Sequence, residues 1–299
     1  MIAKAQNRPL WTALVGVPLL FASIAAMQTR IDARTGALQQ EPEEVLVRSD
    51  ELVKKMSLGY DSLLADIYWT RAVQYYGYHV DKADHEFSQL WPLLDITTTL
   101  DPHLVVAYRF GAIFLSEKVV GAGRTDLAIE LVKRGIAANP DEWRLSTDLG
   151  FLYYWSLKNY PEAVNAYVQA AQNPQSPPWV KAMAARIAAT GGSIETSQLI
   201  WSQIYESSQD MSMRNLAYDQ LRILHAQQDQ AHLDEIADQY RQKTGHPPTS
   251  SKDLIAAGLL SGTPVDSEGF AYVFGPDGKS QVNPQSPIAA LIASQNKTH

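Results

Sequence analysis

The sequence predicts an all-α chain of helical hairpins stacked side by side, with small attachments at both ends. Three observations lead there. The first is a spacing that occurs twice. Ala128, Val132, Gly135 and Pro140 stand four, three and five residues apart, and Ala163, Tyr167, Ala170 and Pro174 stand four, three and four apart. Small residues at that interval share one helix face and let a second helix approach closely, while the larger residue between them fills the groove. The second observation is a motif upstream of each set, Phe110-Gly111-x-x-Phe114 and Leu149-Gly150-x-x-Tyr153. The third is the proline that closes each set, which stops one helix and opens the next unit.

This combination resembles the tetratricopeptide (TPR) repeat, a helical hairpin of about 34 residues that stacks into a solenoid. The resemblance covers roughly residues 58–225 and is strongest over 104–174. A more degenerate unit precedes, with Tyr68, Trp69, Ala72 and Tyr76 on its first helix, then Leu90, Leu94 and Leu100-Asp101-Pro102. Another follows, with Trp179, Ala182 and Ala185, then Ser197, Trp201 and Ile204. Two turns are longer than the repeat allows: Phe114 to Ala128, which contains Gly121-Ala122-Gly123, and Tyr76 to Leu90. In such a repeat the first helix of each unit lines a concave groove, while its Gly and the aromatic three residues on pack inward. By that rule Leu149, Gly150 and Tyr153 are core. The groove candidates are Arg144, Thr147, Phe151, Tyr154 and Trp155, together with Tyr108 and Arg109 one repeat earlier. Aromatic and Arg side chains are frequent anchors at interfaces.

At the N-terminus, Pro9 to Thr29 is free of charge, and its apolar core from Leu10 to Met27 is long enough for a helix of about 27 Å. Residues 1–29 therefore read as a membrane anchor, with residues 9–29 contacting the bilayer, or as a signal peptide cleaved near Ser23-Ile24-Ala25. Lys4 and Arg8 precede the span, and Arg30 and Arg34 after it are offset by Asp32, Glu41, Glu43 and Glu44, which favours a cytoplasmic N-terminus. Residues 30–44 lack periodicity and read as a linker, and residues 45–243 as the helical stack with capping helices. Two last helices are expected between Asp210 and Lys243, broken around Gln227-Gln228-Asp229-Gln230.

Residues 244–283 change character. Gly245-His246-Pro247-Pro248 ends the helix, Lys252 to Gly258 is a short helix with a glycine stop, and Phe270 to Phe274 alternates as a strand. Gly275-Pro276-Asp277-Gly278 is a turn, with a second strand near Ser280–Val282. Pro264, Asp266, Gly269 and Tyr272 resemble a short C-terminal segment of bacterial envelope proteins and type II secretion pseudopilins; the N-terminus lacks the prepilin signature. Phe270, Tyr272 and Phe274 should share one face and dock on the last helices around Leu233, Ile236 and Tyr240. Residues 284–299 are expected to trail as a flexible tail. Anchor, repeat core and tail together resemble a class of membrane-anchored bacterial TPR proteins.

Composition narrows the function. Hydrophobic content of 45% with 19% charged residues suits a folded chain. The net charge of −7 and the scattered Lys and Arg argue against nucleic acid. There is no cysteine, so disulfides, thiolate zinc sites and thiol nucleophiles are excluded. No HExxH occurs, and His79, His85 and His103 show no metal-ligand spacing. Asp266 and Asp277 fall short of a calcium shell. Gly121-Ala122-Gly123-Arg124 is not a phosphate loop, because no strand precedes it and no Gly-Lys-Ser/Thr follows. Glu195, Asp210, Asp234 and Glu235 read as solvated helix faces, and Asp66 and Arg71 as facing different neighbours. The expectation is a binding protein rather than an enzyme, without a cofactor. The resemblance implies a scaffold held at a bacterial inner membrane, its bulk in the periplasm, binding a protein or peptide partner of the cell envelope. A carbohydrate ligand stacked on the aromatic groove is the alternative.

Overall fold

The computed structural model describes residues 21–30, 53–55, 57–81 and 87–296. Most of the expected membrane span and linker, and His85, lie outside the described residues. Residues 21–30 are helical and exposed throughout. Among the described residues no helix is long and apolar enough to cross a membrane.

The rest is mostly helical, and consecutive helices pack in pairs. Helix α1 (Asp61–Asp81) pairs with α2 (Leu90–Leu100), α3 (Val105–Ser116) with α4 (Thr125–Ala138), α5 (Trp143–Phe151) with α6 (Tyr160–Ala171), and α7 (Pro178–Thr190) with α8 (Ile194–Ser207). Helix α9 (Met211–Thr244) then lies on α8. Local chemistry sets the ends. Asn159 caps α6 by accepting from the Glu162 N–H, with Pro161 in the first turn, and Asp210 caps α9 by accepting from the Ser212 N–H.

The small residues of the repeated spacing are explained by contact. A Cβ on Gly135 would sit 2.8 Å from the Tyr108 ring, and one on Gly150 would sit 2.6 Å from Tyr167. The first pair puts tyrosine on the leading helix and glycine on the following one; the second reverses them. Either way the two helix backbones close on a ring that only a glycine admits.

Successive hairpins are joined by matched polar contacts. Arg134 on α4 reaches Asp95 on α2 at 2.5 Å, and Arg109 on α3 reaches Asp148 on α5 at 2.6 Å; in both pairs the partners stand 39 residues apart. Between turns, the Asn139 amide donates to the Pro102 carbonyl at 2.8 Å, and the Asn173 amide donates to the Asp141 carbonyl at 2.7 Å. Asp101-Pro102, Asn139-Pro140 and Asn173-Pro174 are thus equivalent turns. One apolar cluster runs through α1 to α5, and a second links α6 to α9.

Two expectations are corrected. The break near Gln227–Gln230 does not occur: α9 is one 34-residue helix, about 51 Å long. Nothing between Met211 and Thr244 is Gly or Pro, and Gln198 donates to Gln228 across from α8. It ends at Gly245, whose φ of 80° suits a residue without a side chain. The expected flexible tail instead contains helix α11, introduced below.

The C-terminal module closes onto α9. Helix α10 (Ser251–Ala256) starts with a capping box of Ser250 and Asp253. Strands β1 (Val273–Phe274) and β2 (Ser280–Gln281) pair antiparallel. Tyr272 is buried and donates its hydroxyl to Asp229 at 2.8 Å, with Phe270 and Phe274 half-buried. Tyr272 thus meets α9 at Asp229, rather than around Leu233, Ile236 and Tyr240 as expected for the three aromatics. Ser280 donates to Asp234, and Arg222 pairs with Glu268 at 2.8 Å. Helix α11 (Pro287–Asn296) then buries Ile288 completely against Ile223 and Ala226 of α9. Pro287 at its start and the Ile288, Leu291, Ile292 spacing are the sequence features that make it a docked helix.

Candidate functional site

The groove candidates divide sharply. Tyr108 is buried over Gly135, and Thr147 is buried with its hydroxyl bonded to the Arg144 carbonyl, so neither faces solvent. Tyr108 and Thr147 stand at equivalent positions, 39 residues apart, and that position faces the packed side of both α3 and α5. Arg109 is spent on Asp148. That hydrogen bond holds its guanidinium above the usual arginine range, and burial pushes the Asp148 carboxyl up against the pull of Arg109. Tyr154 is half-buried beside Tyr160, with ring centroids 6.1 Å apart.

Arg144, Phe151 and Trp155 remain, and the structure brings them onto one face. With Asp148 they follow at intervals of four, three and four, a single helical stripe. Phe151 is 48% and Trp155 59% exposed. Their rings lie 6.2 Å apart and within 8° of parallel, as a helical i, i+4 pair can place them. Continuing from α5, residues Leu152–Ser156 form a π-turn, a local form often found at functional positions. Lys158 follows in the left-handed region (φ 54°), which carries its ammonium to 4.8 Å from the Trp155 ring and 5.6 Å from Tyr154. Such cation–π contacts are worth about 0.5–1 kcal/mol at exposed sites. At the other end of the stripe Arg144 lies over Trp143, 4.7 Å from its ring, and Trp143 meets Trp179 edge-on.

This face is open because α7 packs against α6 and leaves the side of α5 that bears Phe151 uncovered. Sequence reasoning missed Lys158. Its signal was present in the aromatic run just before it, but its left-handed backbone is not legible from a lysine.

Chemically the stripe is an aromatic platform with Lys158 at one end and the Arg144–Glu142 ion pair, 3.0 Å apart, at the other. Among the described residues no group of three His, Asp or Glu is arranged to hold a metal ion. Asp266 is buried and accepts from the Glu268 and Phe270 N–H groups and the Ser286 hydroxyl, and Asp277 accepts from the Lys279 N–H, so both carboxylates brace turns. No protein-family model matches this sequence, and no curated protein matches it.

Proposed function

We propose that this chain is a TPR-type interaction scaffold, tethered through residues 9–29 to a bacterial inner membrane, that binds a peptide segment of an envelope partner along the α5 stripe. One observation carries the reading: Phe151 and Trp155 form an exposed, parallel aromatic pair between Lys158 and Arg144. Exposed aromatic and cationic side chains of this kind are the residue types that dominate binding energy at interfaces. A bound segment would lay an apolar side chain on the rings and a carboxylate toward Lys158. The tether rests on the charge-free run from Pro9 to Thr29 and would raise the effective concentration near membrane partners.

Photo-crosslinking in cells tests this. A crosslinker at Phe151 or Trp155 is expected to give discrete protein adducts, and one at Leu199, exposed on α8, is not. Equal yields at all three positions would remove the proposal. The near-parallel rings also favour a second reading, a sugar ring stacked on the platform. Tryptophan fluorescence titrated with envelope oligosaccharides and with peptides separates the two, since only the true ligand class should saturate and lose about tenfold or more in affinity with Trp155→Ala.

A further inference from the structure

Between the turn that joins α6 to α7 and the turn that joins α8 to α9 lies a cleft of about 400 Å³, within the size range of small-molecule sites. It shares no residue with the α5 stripe. Part of its lining is apolar: Pro177 and Pro178 from the first turn, Ile204 near the end of α8 and Met213 in the first turn of α9. Three polar groups in the lining are left uncommitted. The Ser176 hydroxyl is buried without a hydrogen-bond partner, which is uncommon for a buried polar atom. Lys181 of α7 is half-buried and pairs with no carboxylate among the described residues. Asp210 caps α9 through one carboxylate oxygen, which accepts from the Ser212 N–H, and its charge is matched by no cation among the described residues. The two neighbouring hydroxyls are already used: Ser207 donates to the Gln203 carbonyl, and Ser208 accepts from the Asp210 N–H to hold the turn. Lys181 and Asp210 are the only charged residues in the lining, and they do not meet each other.

We propose that this cleft binds a small zwitterion with an apolar side chain, its carboxylate toward Lys181 and its ammonium toward Asp210. That is the chemistry of a free amino acid or of a short peptide with unblocked ends. The class follows from charge. A simple carboxylate would meet Lys181 but be opposed by Asp210, and a simple amine would meet the reverse. A ligand that bears both charges is matched at both, and its side chain finds the Pro178, Ile204 and Met213 surface. Ser176 needs only a change of its one heavy-atom torsion to offer its hydroxyl to the ligand carboxylate.

The test titrates the full chain in detergent, its methionine methyl groups labelled for NMR, with leucine and with leucyl-leucine. Saturable shifts of the Met213 methyl are expected. Tighter binding of leucine marks a free amino acid as the ligand, and tighter binding of leucyl-leucine marks the two ends of a short peptide. N-acetylleucine lacks the ammonium and leucinamide lacks the carboxylate, so each should bind at least about tenfold more weakly than leucine. Lys181→Met should weaken leucine binding by a similar factor. Asp210→Asn should do the same while leaving α9 capped, since asparagine caps as well as aspartate. Leu199→Ala, at an exposed position on α8, should change nothing. No saturable shift with either probe would overturn the proposal. So would equal binding of leucine, N-acetylleucine and leucinamide, or parent-like binding by the folded Lys181→Met and Asp210→Asn chains.

Discussion

Two regions of the helical stack are finished in opposite ways. At the C-terminal end, α9 would leave Ile223 and Ala226 bare, and a hairpin with α10 and α11 folds back to cover them. Nearer the N-terminus, α3 presents Val106, Phe110 and Ile113 to solvent although its repeat equivalents on α5 are buried. The amphipathic pattern is the same in kind at both places. Periodicity decides which residues are apolar on one face, but only a neighbouring element decides whether that face is covered. The C-terminal closure also shows how a very small module manages the task. A lone two-stranded hairpin is marginal in water, and here it is fixed by polar contacts to α9, namely Tyr272 to Asp229, Ser280 to Asp234 and Glu268 to Arg222.

The comparison breaks most readily at Ile288. Its complete burial makes Ile288→Ala equivalent to a core truncation, expected to cost about 2–5 kcal/mol in urea unfolding followed by circular dichroism. Exposed Ile113→Ala on α3 should change stability by no more than about 0.5 kcal/mol. Equal effects would mean that the two regions are not finished differently.

A smaller loss is expected at Asp266, which is buried and braces the module from within. Asp266→Ala strands the Glu268 and Phe270 N–H groups and the Ser286 hydroxyl, at about 1–3 kcal/mol. Limited proteolysis should then release the segment after residue 264 while α1 to α8 stay protected. Uniform digestion would show instead that the module and the stack unfold together.

The smallest expected effect concerns pH. The Thr249 N–H and hydroxyl, followed by Ser250, hold the Asp253 carboxyl below the usual aspartate range. A lowered folded pKa means that the carboxylate favours the folded form, so the cap of α10 is intact above the unfolded pKa and weakens as pH falls through the folded one. Side-chain carboxyl NMR of Asp253 should titrate below that of an unstructured aspartate, and Thr249→Val should move it upward.

Much of the helical stack was legible because its signals are local. Glycine, alanine and proline at fixed spacing mark where helices touch and turn, and the turn at Asp101-Pro102 proved equivalent to Asn139-Pro140. The groove was less legible, because repeat phase does not say which side of a leading helix its neighbours cover. Tyr108 and Thr147 were misplaced for that reason, whereas Arg144, Phe151 and Trp155 were not. The pairing of Arg109 with Asp148 depends on stacking between units, which no local window contains. The tail was misjudged for a different cause. Ile288, Leu291 and Ile292 form a short apolar stripe behind Pro287, but a ten-residue helix counts for little until a surface such as Ile223 is known to await it.

The two ion pairs between hairpins constrain how this chain can be rearranged. Hairpin α3/α4 supplies both arginines, Arg109 and Arg134, and its neighbours supply both aspartates, Asp148 and Asp95. Because the partners occupy equivalent positions 39 residues apart, a tandem copy of this hairpin would set arginine against arginine on both helices. The hairpin is therefore complementary to what stands on either side of it and repellent to itself. Lengthening the array by duplicating this unit is disfavoured from the outset, and growth would have to copy an acidic and a basic hairpin together.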